Sequence, residues 1–371
     1  MNKKSITCFL LLANAVFILC ACGNNNQTGS GEKEKSSQAE RSSRQVQERA
    51  GGEDSFVEES AQETVENGTK PGGNAMAGKQ FTEKTRVSEV INDAAFEGFG
   101  KLLFPVDRDV HGDMTLREAS SSDVYVWYSE IHPEKTVEIL NYLKGQALSG
   151  EQIFYPIYSE EEMKAESSKR DTGLFFFRGE PGKEFAIMNA GGGFMYVGAM
   201  HDSFPHALEV SKKGYNAFAL IYRPDDPYVD LAQAIRFIEG HADELGVSRE
   251  NYSLWGGSAG ARMAAVLGNA SYLGQYTDGK AVPQAAAVIM QYTGYTDAQK
   301  DDAPTYACVG TRDSIAGVRT MERRLEKLKD YGIATEFHSY KGLDHGFGIG
   351  TDTVAEGWVQ DAVSFWEAQM K

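Results

Sequence analysis

The chain has few cysteines, and most of them lie near its beginning. Only four of its 371 residues are cysteine, namely Cys8, Cys20, Cys22 and Cys308. A disulfide framework needs several paired cysteines in the mature domain, so the sequence excludes a disulfide-rich fold. The folded part must instead be held by its hydrophobic core, for which a content of 41% hydrophobic residues is sufficient.

Basic residues are also scarce. Lys and Arg total 37 against 53 Asp and Glu, which gives a formal net charge of −16. Binding the phosphates of a nucleic acid needs a clustered basic surface, and no Lys/Arg-rich run offsets the deficit. We therefore expect no nucleic-acid partner.

Long hydrophobic runs are missing except at the start of the chain. Lys3 and Lys4 precede the apolar run "ITCFLLLANAVFILCA" at residues 6–21, which is shorter than the ~20 residues that a membrane-spanning helix needs. The pattern predicts a secretory signal peptide over residues 1–21, with an ordinary signal or an uncleaved anchor as alternatives. Its end, "LCAC", resembles the lipobox of bacterial lipoproteins. That resemblance implies that Cys22 is lipidated, and that the lipid is the protein's only membrane contact on the extracytoplasmic side.

Two segments separate the signal from the main domain. Residues 22–80 are rich in Gly, Ser, Gln, Glu and Lys and nearly free of aromatics. Such a segment cannot bury enough apolar surface to offset its conformational entropy, and we predict a disordered tether. Residues 81–150 carry helical spacing, with Leu140 and Leu143 on one face, and are predicted to form a small, mainly helical N-terminal extension.

Residues 151–371 alternate apolar, strand-like runs with amphipathic, helix-like runs. The runs predicted as strands are "IFYPIY", "LFFFRG", "FAIMNAGGG", "NAFALIYRP", "NYSLWGGSAG", "AAAVIMQYTG", "PTYACVG" and "TEFHSY". This alternation indicates an α/β domain with a mostly parallel sheet covered by helices on both faces. Ligands of such sheets bind at the C-terminal ends of the strands, so the residues directly after each strand are the candidates for function.

The segment "GGSAG", residues 256–260, places Ser258 between a predicted strand and a predicted helix. Its glycines permit the sharp turn that would expose the serine. The helix N-terminus favours developing negative charge at the same place. Because a serine hydroxyl is a poor nucleophile without a base, a plain turn is an equal alternative until a base is found.

A base and its orienting carboxylate follow later strands. His345, in "GLDHGFG", lies between the last predicted strand and the last helix. Asp313, in "GTRDSIA", follows the preceding strand and can accept the Nδ1–H of that histidine. Asp344 is the rival carboxylate, and we disfavour it because neighbouring side chains on a loop seldom point at each other. Asp301 and Asp302 lie in a hydrophilic loop and are predicted to be solvated.

The glycine-rich segment "NAGGGFMYVG" follows another strand and is a candidate oxyanion hole. The amide of Gly192 or Gly193, together with that of Ala259, would converge on a carbonyl oxygen. A dinucleotide-binding loop is excluded, because the third glycine of G-x-G-x-x-G would fall at Tyr196.

His201 and His206 lie just beyond the glycine-rich segment. They are five positions apart and do not share a helical face, so we predict no metal site there. They remain candidates for lining a pocket. Cys308 lies within a predicted strand and is expected to be a buried apolar residue.

The motifs occur in the order "AGGGF", "GGSAG", "GTRDSIA" and "GLDHGFG". In this order they resemble the α/β-hydrolase superfamily over roughly residues 175–371, and in particular the esterase and lipase branch with the acetyl-xylan and feruloyl esterase-like proteins of bacteria. The resemblance implies Ser258 as nucleophile, Asp313 as orienter, His345 as base and the glycine loop as oxyanion hole, with no metal or organic cofactor. One departure is visible: the family's H-G-G-G motif begins with a histidine that mainly braces the loop, and here Ala190 takes that position.

The sequence therefore predicts a secreted, lipid-anchored serine carboxylesterase that hydrolyses acyl esters. The resemblance and the predicted address favour acetyl or feruloyl groups on glycans as substrates. One alternative is a serine peptidase of the prolyl-oligopeptidase type, which shares the order of the three residues but has propeller-like repeats that this chain lacks. The other is a non-catalytic binding protein on a hydrolase scaffold.

Overall fold

A computed structural model describes residues 79–277 and 282–370. The predicted signal peptide, Cys22 and the predicted tether up to residue 78 lie outside the described residues. Within the described ranges, no helix is long and apolar enough to cross a membrane.

The predicted N-terminal extension contains two short helices and one helix of 16 residues. It contains the α-helices α1 (Val87–Ile91), α2 (Leu116–Ala119) and α3 (Pro133–Leu148), and 3-10 turns at Ala94–Phe96 and Gly100–Leu103. Proline at the first position of α3 fits a helix start, because the missing N–H has no intrahelical partner there.

The sheet is formed by the strands β1 (Phe154–Tyr155), β2 (Gly173–Phe177), β3 (Phe185–Asn189), β4 (Asn216–Ile221), β5 (Ser253–Gly257), β6 (Ala287–Gln291), β7 (Thr305–Gly310) and β8 (Thr335–Tyr340). Their order within the described part of the chain is β1-β2-β4-β3-β5-β6-β7-β8. The pairs β1–β2 and β2–β4 are antiparallel, and all the others are parallel. All eight correspond to predicted runs, and the prediction of a mostly parallel sheet is confirmed.

Burial explains why these runs form central strands. Every residue of β2, β3, β4, β6 and β7 is buried, as expected when helices cover both faces of a sheet. Cys308 lies in β7 and is fully buried, as predicted, and it forms no disulfide within the described residues. Because β3 to β8 are parallel, the loops that leave their C-terminal ends meet at one edge of the sheet.

The helices that flank the sheet are α4 (Glu160–Ala165), α5 (Ala199–Asp202), α6 (Phe204–Lys212), α7 (Pro227–Gly240), α8 (Ala242–Leu245), α9 (Ala259–Leu267), α10 (Ala270–Tyr276), α11 (Val318–Asp330) and α12 (Trp358–Glu367), with a 3-10 turn at Ser167–Asp171. One group, α3, α6 and α12, packs together against the sheet, and α7, α9 and α10 form another.

The N-terminal extension shares the core of the sheet domain. Tyr142 of α3 stacks on Phe177 of β2 with ring centroids 5.6 Å apart, and Phe99 stacks on Phe154 of β1 at 4.9 Å. The buried apolar residues of residues 81–150 belong to the same continuous cluster as those of the strands. The extension is therefore an integral layer of the fold, and its segment between α2 and α3 reaches the edge where the site lies.

Candidate active site

Ser258 sits on a strained turn between β5 and α9. Its backbone has φ +52° and ψ −113°, a conformation that costs a non-glycine residue of the order of 1–3 kcal/mol. The turn is held by the amide of Ser258, which donates to the carbonyl oxygen of Gln291 at 2.9 Å. A Cβ at Gly256 would lie 2.3 Å from the backbone of Gly260, and a Cβ at Gly260 would lie 1.9 Å from Asn189 O. Both glycines are therefore required by close backbone approach, and the serine is half-buried at the top of the turn.

Ser258, His345 and Asp313 form a hydrogen-bonded series. His345 Nε2 lies 3.0 Å from Ser258 Oγ, and His345 Nδ1 lies 2.8 Å from Asp313 Oδ2. The other carboxylate oxygen, Asp313 Oδ1, accepts from the amides of Ile315 and Ala316 at 2.8 and 2.7 Å. The carboxylate is thus fixed in place and holds the proton of the imidazole on Nδ1. Nε2 is left with its lone pair toward the serine hydroxyl.

The rival carboxylate has a different partner. Asp344 is exposed and forms an ion pair with Arg312 at 2.7 Å, whereas the side chain of Asp313 is fully buried. The structure therefore brings together the three residues selected from the sequence and leaves Asp344 at the surface.

The glycine loop lies directly against the serine. A Cβ at Gly191 would be 2.9 Å from Ser258 Cβ, and Gly192 and Gly193 have φ angles of +126° and +64°. The amide of Gly191 donates to Asp202 Oδ2 at 2.7 Å. Within the described residues, the amides of Gly192, Gly193 and Ala259 donate to no protein acceptor. The predicted oxyanion donors are therefore next to the serine and available to a ligand.

A buried carboxylate that the sequence did not single out lies beneath this turn. Asp202, at the end of α5, is 2% exposed and accepts hydrogen bonds from Tyr128 Oη at 3.0 Å, from Tyr292 Oη, and from the Gly191 amide. Burial raises the pKa of Asp202 to about 6, although the three donors act against that rise. No local pattern marks this aspartate, because its partners come from three separate segments, and both tyrosines are more than 70 positions away in the chain.

His201 and His206 are buried beside the site and serve the fold. Burial lowers the pKa of His201 to about 3 and that of His206 to about 4, so both rings are neutral at physiological pH. His206 Nε2 lies 2.9 Å from Gln291 Oε1, and the ring of His201 packs edge-on against Tyr125. No group of three His, Cys, Asp or Glu side chains that could hold a metal ion occurs in the described part of the chain.

One sequence-based expectation was wrong. Asp302 is not solvated: its side chain is 6% exposed and pairs with Arg324, which is 1% exposed, at 2.9 Å. The loop is hydrophilic because it supplies a buried ion pair at the N-terminal edge of the sheet, opposite the site.

The rim of the site carries exposed apolar side chains. Trp127, Met195 and Ile315 are 42%, 66% and 54% exposed. The indole ring of Trp127 lies against the glycine loop, since a Cβ at Gly193 would be 2.9 Å from it. Trp127 also has a φ of +75°, which is rare for a bulky residue. An apolar rim around a polar centre suits an organic ligand with a reactive polar group.

The strand order, the strained serine turn and the histidine loop after the last strand define an α/β-hydrolase fold. The prediction of this fold is confirmed. Residues 181–319 match the model of the BD-FAE family, a stretch that covers less than half of the chain. It contains the glycine loop, Ser258 and Asp313.

Solved structures that are similar to this chain include named esterases. An acetyl ester-xyloside bifunctional hydrolase from Caldicellulosiruptor lactoaceticus matches at 17% identity with a TM-score of 0.50, covering 58% of this chain and 95% of that chain. Esterase 2 from Thermogutta terrifontis matches at 21% identity with a TM-score of 0.47, covering 54% of this chain and 90% of that chain. At 17% identity, the likeness to the acetyl ester-xyloside hydrolase shows the fold alone. No curated protein matches the chain.

Proposed function

We propose that this protein is a serine carboxylesterase in which Ser258, His345 and Asp313 act as a catalytic triad. The observation that carries the proposal is the continuous hydrogen-bonded series from Ser258 Oγ to Asp313, at 3.0 and 2.8 Å. It lies next to three amides that donate to no acceptor in the part of the chain that the structure describes. A serine becomes a nucleophile when a base can take its proton, and here the base is already within hydrogen-bond distance.

Acylation begins when Ser258 Oγ attacks the ester carbonyl carbon. His345 Nε2 takes the hydroxyl proton as the new C–O bond forms, and Asp313 stabilises the imidazolium. The carbonyl oxygen becomes an oxyanion that the amides of Ala259 and Gly192 or Gly193 stabilise. Collapse of the tetrahedral intermediate expels the alcohol, which receives the proton from His345. Water then attacks the acyl-enzyme with the same histidine as base, which releases the acid and restores the serine.

We propose acyl esters of glycans as the substrate class. The match to the BD-FAE family and the name of the acetyl ester-xyloside hydrolase support a test of acetylated sugars. The exposed rim of Trp127, Met195 and Ile315 supports a substrate with an apolar or ring-shaped group beside the ester. Indole rings pack well against such groups.

We also propose a cellular address. The N-terminal lysines, the apolar run and the "LCAC" end support export and lipidation of Cys22. The polar composition of residues 22–80 supports a tether that holds the enzyme at a distance from the membrane. Polymeric glycans are accessible at that distance. Metabolic labelling with a fatty-acid probe tests this, because the Cys22→Ala variant must lose the label if the cysteine is the acceptor.

The function is tested by comparing the wild-type protein with Ser258→Ala. We expect hydrolysis of p-nitrophenyl acetate and of acetylated xylan by the wild type only, and fluorophosphonate labelling that depends on Ser258. Turnover of peptide substrates in place of esters would favour a peptidase. Inactivity of the wild type toward both, together with no labelling, would favour a binding protein and overturn the proposal.

A further inference from the structure

Asp202 occupies a central position under the proposed nucleophile. Its carboxylate lies directly against the serine turn, because a Cβ at Gly257 would be 2.3 Å from both carboxylate oxygens. The residue is 2% exposed and forms no ion pair among the described residues. A buried carboxylate is costly unless its oxygens accept hydrogen bonds, so its presence here needs a reason.

The three hydrogen bonds to this carboxylate come from three separate segments. The Gly191 amide belongs to the glycine loop, Tyr292 directly follows β6, and Tyr128 belongs to the N-terminal extension. All three groups donate, which matches an ionised carboxylate with both oxygens accepting. Asp202 is thus the junction between the glycine loop and two aromatic side chains.

These two aromatic residues in turn contact the histidine loop. The ring of Tyr292 lies against the imidazole of His345, with centroids 4.9 Å apart. The residue after Tyr128, Ser129, donates its amide to the carbonyl oxygens of His345 and Gly346 at 3.2 and 3.1 Å. Through these contacts, the position of Asp202 affects both the oxyanion donors of the glycine loop and the base, His345.

The residue at the start of the glycine loop cannot hold the loop through its own side chain. Ala190 has no polar side chain, and its carbonyl oxygen accepts from Tyr222 Oη at 2.8 Å. The side chain that holds the loop is instead that of Asp202, 12 positions after Ala190. Its Oδ2 accepts a hydrogen bond from the Gly191 amide at 2.7 Å. Fixing that amide orients the following peptide units, whose N–H groups have no acceptor among the residues that the structure describes.

We propose that Asp202 is a positioning residue that holds the glycine loop in the geometry required to stabilise the oxyanion, with Tyr128 and Tyr292 orienting its carboxylate. The proposal rests on the proposed esterase function. Asp202 does not touch the substrate, so it acts on the transition state through the amides of Gly192 and Gly193. Its loss should therefore lower kcat more than it changes KM.

The experiment compares Asp202→Ala, Asp202→Asn and Tyr292→Phe with a matched control, Asn216→Ala. Asn216 is also buried and also accepts from a glycine amide, that of Gly179 at 3.1 Å, but it lies at the start of β4, at the opposite edge of the sheet. All rates are expressed per active site, titrated with a fluorophosphonate, so that misfolded protein does not count. The readouts are kcat and KM for p-nitrophenyl acetate, the inhibition constant of a boronic acid that mimics the tetrahedral intermediate, and the rate of fluorophosphonate labelling.

We expect Asp202→Ala to lower kcat per active site about 10- to 100-fold, less than the ~10²–10³-fold loss for removing an oxyanion donor outright. KM should stay within about twofold, and the boronic acid should bind more weakly by a factor similar to the loss of kcat. Asp202→Asn keeps one acceptor oxygen and should lose less activity than Asp202→Ala, and Tyr292→Phe should also lose less. Asn216→Ala should retain the wild-type kcat per site even if it is less stable.

Two results would overturn the proposal: an unchanged kcat per site in Asp202→Ala, or an equal loss in Asn216→Ala. If Asp202→Ala does not fold, Asp202→Asn and Tyr292→Phe give the same comparison. Failure of the esterase function itself looks different, because the wild type would then hydrolyse no ester. Fluorophosphonate labelling would still report on the oxyanion donors, and it must slow in the Asp202 variants if the proposal is right.

Discussion

His345 Nε2 lies 3.0 Å from Ser258 Oγ although 87 positions separate the two residues in the chain. The contact forms because the two residues follow β8 and β5, and the C-terminal ends of these parallel strands share one edge of the sheet. A proton can pass directly between the two atoms at this distance.

Replacing Asp313 by Asn tests the role of the orienting carboxylate. The amide keeps the shape of the side chain but favours the wrong imidazole tautomer, so we expect kcat to fall about 10³–10⁴-fold. Asp344→Asn is the matched control, since Asp344 neighbours His345 in the chain but pairs with Arg312 at the surface. Steady-state kinetics with p-nitrophenyl acetate measure both variants. A greater loss in Asp344→Asn than in Asp313→Asn would contradict the assignment.

Replacing Gly193 by Ala tests the glycine loop. At a φ of +64° and with a Cβ 2.9 Å from the indole of Trp127, alanine must shift the loop. We expect kcat to fall about 10- to 100-fold, because the oxyanion donors move away from the carbonyl oxygen. Gly182 has a similar φ of +78° with nothing within 4 Å of its Cβ, so Gly182→Ala should reduce stability while leaving kcat unchanged. Equal kcat in the two variants would argue against an oxyanion role for the loop.

Shortening Trp127 to Ala tests whether the rim contacts substrate. Loss of the indole contact should reduce kcat/KM for esters with a ring beside the reacting bond about tenfold, corresponding to 1–2 kcal/mol of apolar contact. Methyl acetate, which cannot reach the rim, should be hydrolysed as by the wild type. Leu148→Ala removes a comparably exposed side chain, 51%, at the end of α3 and should affect neither substrate. A uniform loss for all esters would mean that Trp127 supports the glycine loop and does not contact substrate.

The buried histidines predict loss of stability in acid. Burial lowers the pKa of His201 to about 3, below the value near 6.5 expected in the unfolded chain. As the pH falls, the imidazole is therefore protonated in the unfolded state at a higher pH than in the folded state. The free energy of unfolding is at its full value above pH 6.5 and decreases as the pH falls from 6.5 toward 3. At pH 5 this lowers the free energy of unfolding by about 2 kcal/mol relative to pH 7.

His201→Phe isolates this effect. Nε2 of His201 has no partner within the described residues, so phenylalanine sacrifices no hydrogen bond there. We expect the variant to lose less stability than the wild type between pH 7 and pH 5 in urea titrations, whereas exposed His111→Gln should follow the wild type. Parallel pH profiles for His201→Phe and wild type would contradict the burial argument.

Much of the fold and the main site residues could be predicted because each reactive side chain lies in the loop that follows a strand recognisable in the sequence. "GGSAG", "GTRDSIA" and "GLDHGFG" mark these positions, and parallel strands bring their ends together whatever the sequence distance. Asp202 could not be found in this way. It lies on α5, a helix of four residues without a periodic pattern, and its role depends on tertiary contacts with Tyr128 and Tyr292. The prediction that Asp302 is solvated failed for the same reason, because its partner Arg324 lies on α11, in another part of the chain.

The most direct test of the central claim is to trap the acyl-enzyme. Wild-type protein is mixed with p-nitrophenyl acetate, quenched in acid at short times, digested and examined by mass spectrometry. The account predicts an acetyl group on the peptide that contains Ser258, formed as the first p-nitrophenol is released, and neither adduct nor turnover in Ser258→Ala. Undiminished hydrolysis by Ser258→Ala, or an acetyl group that forms on another residue at the rate of turnover, would contradict it.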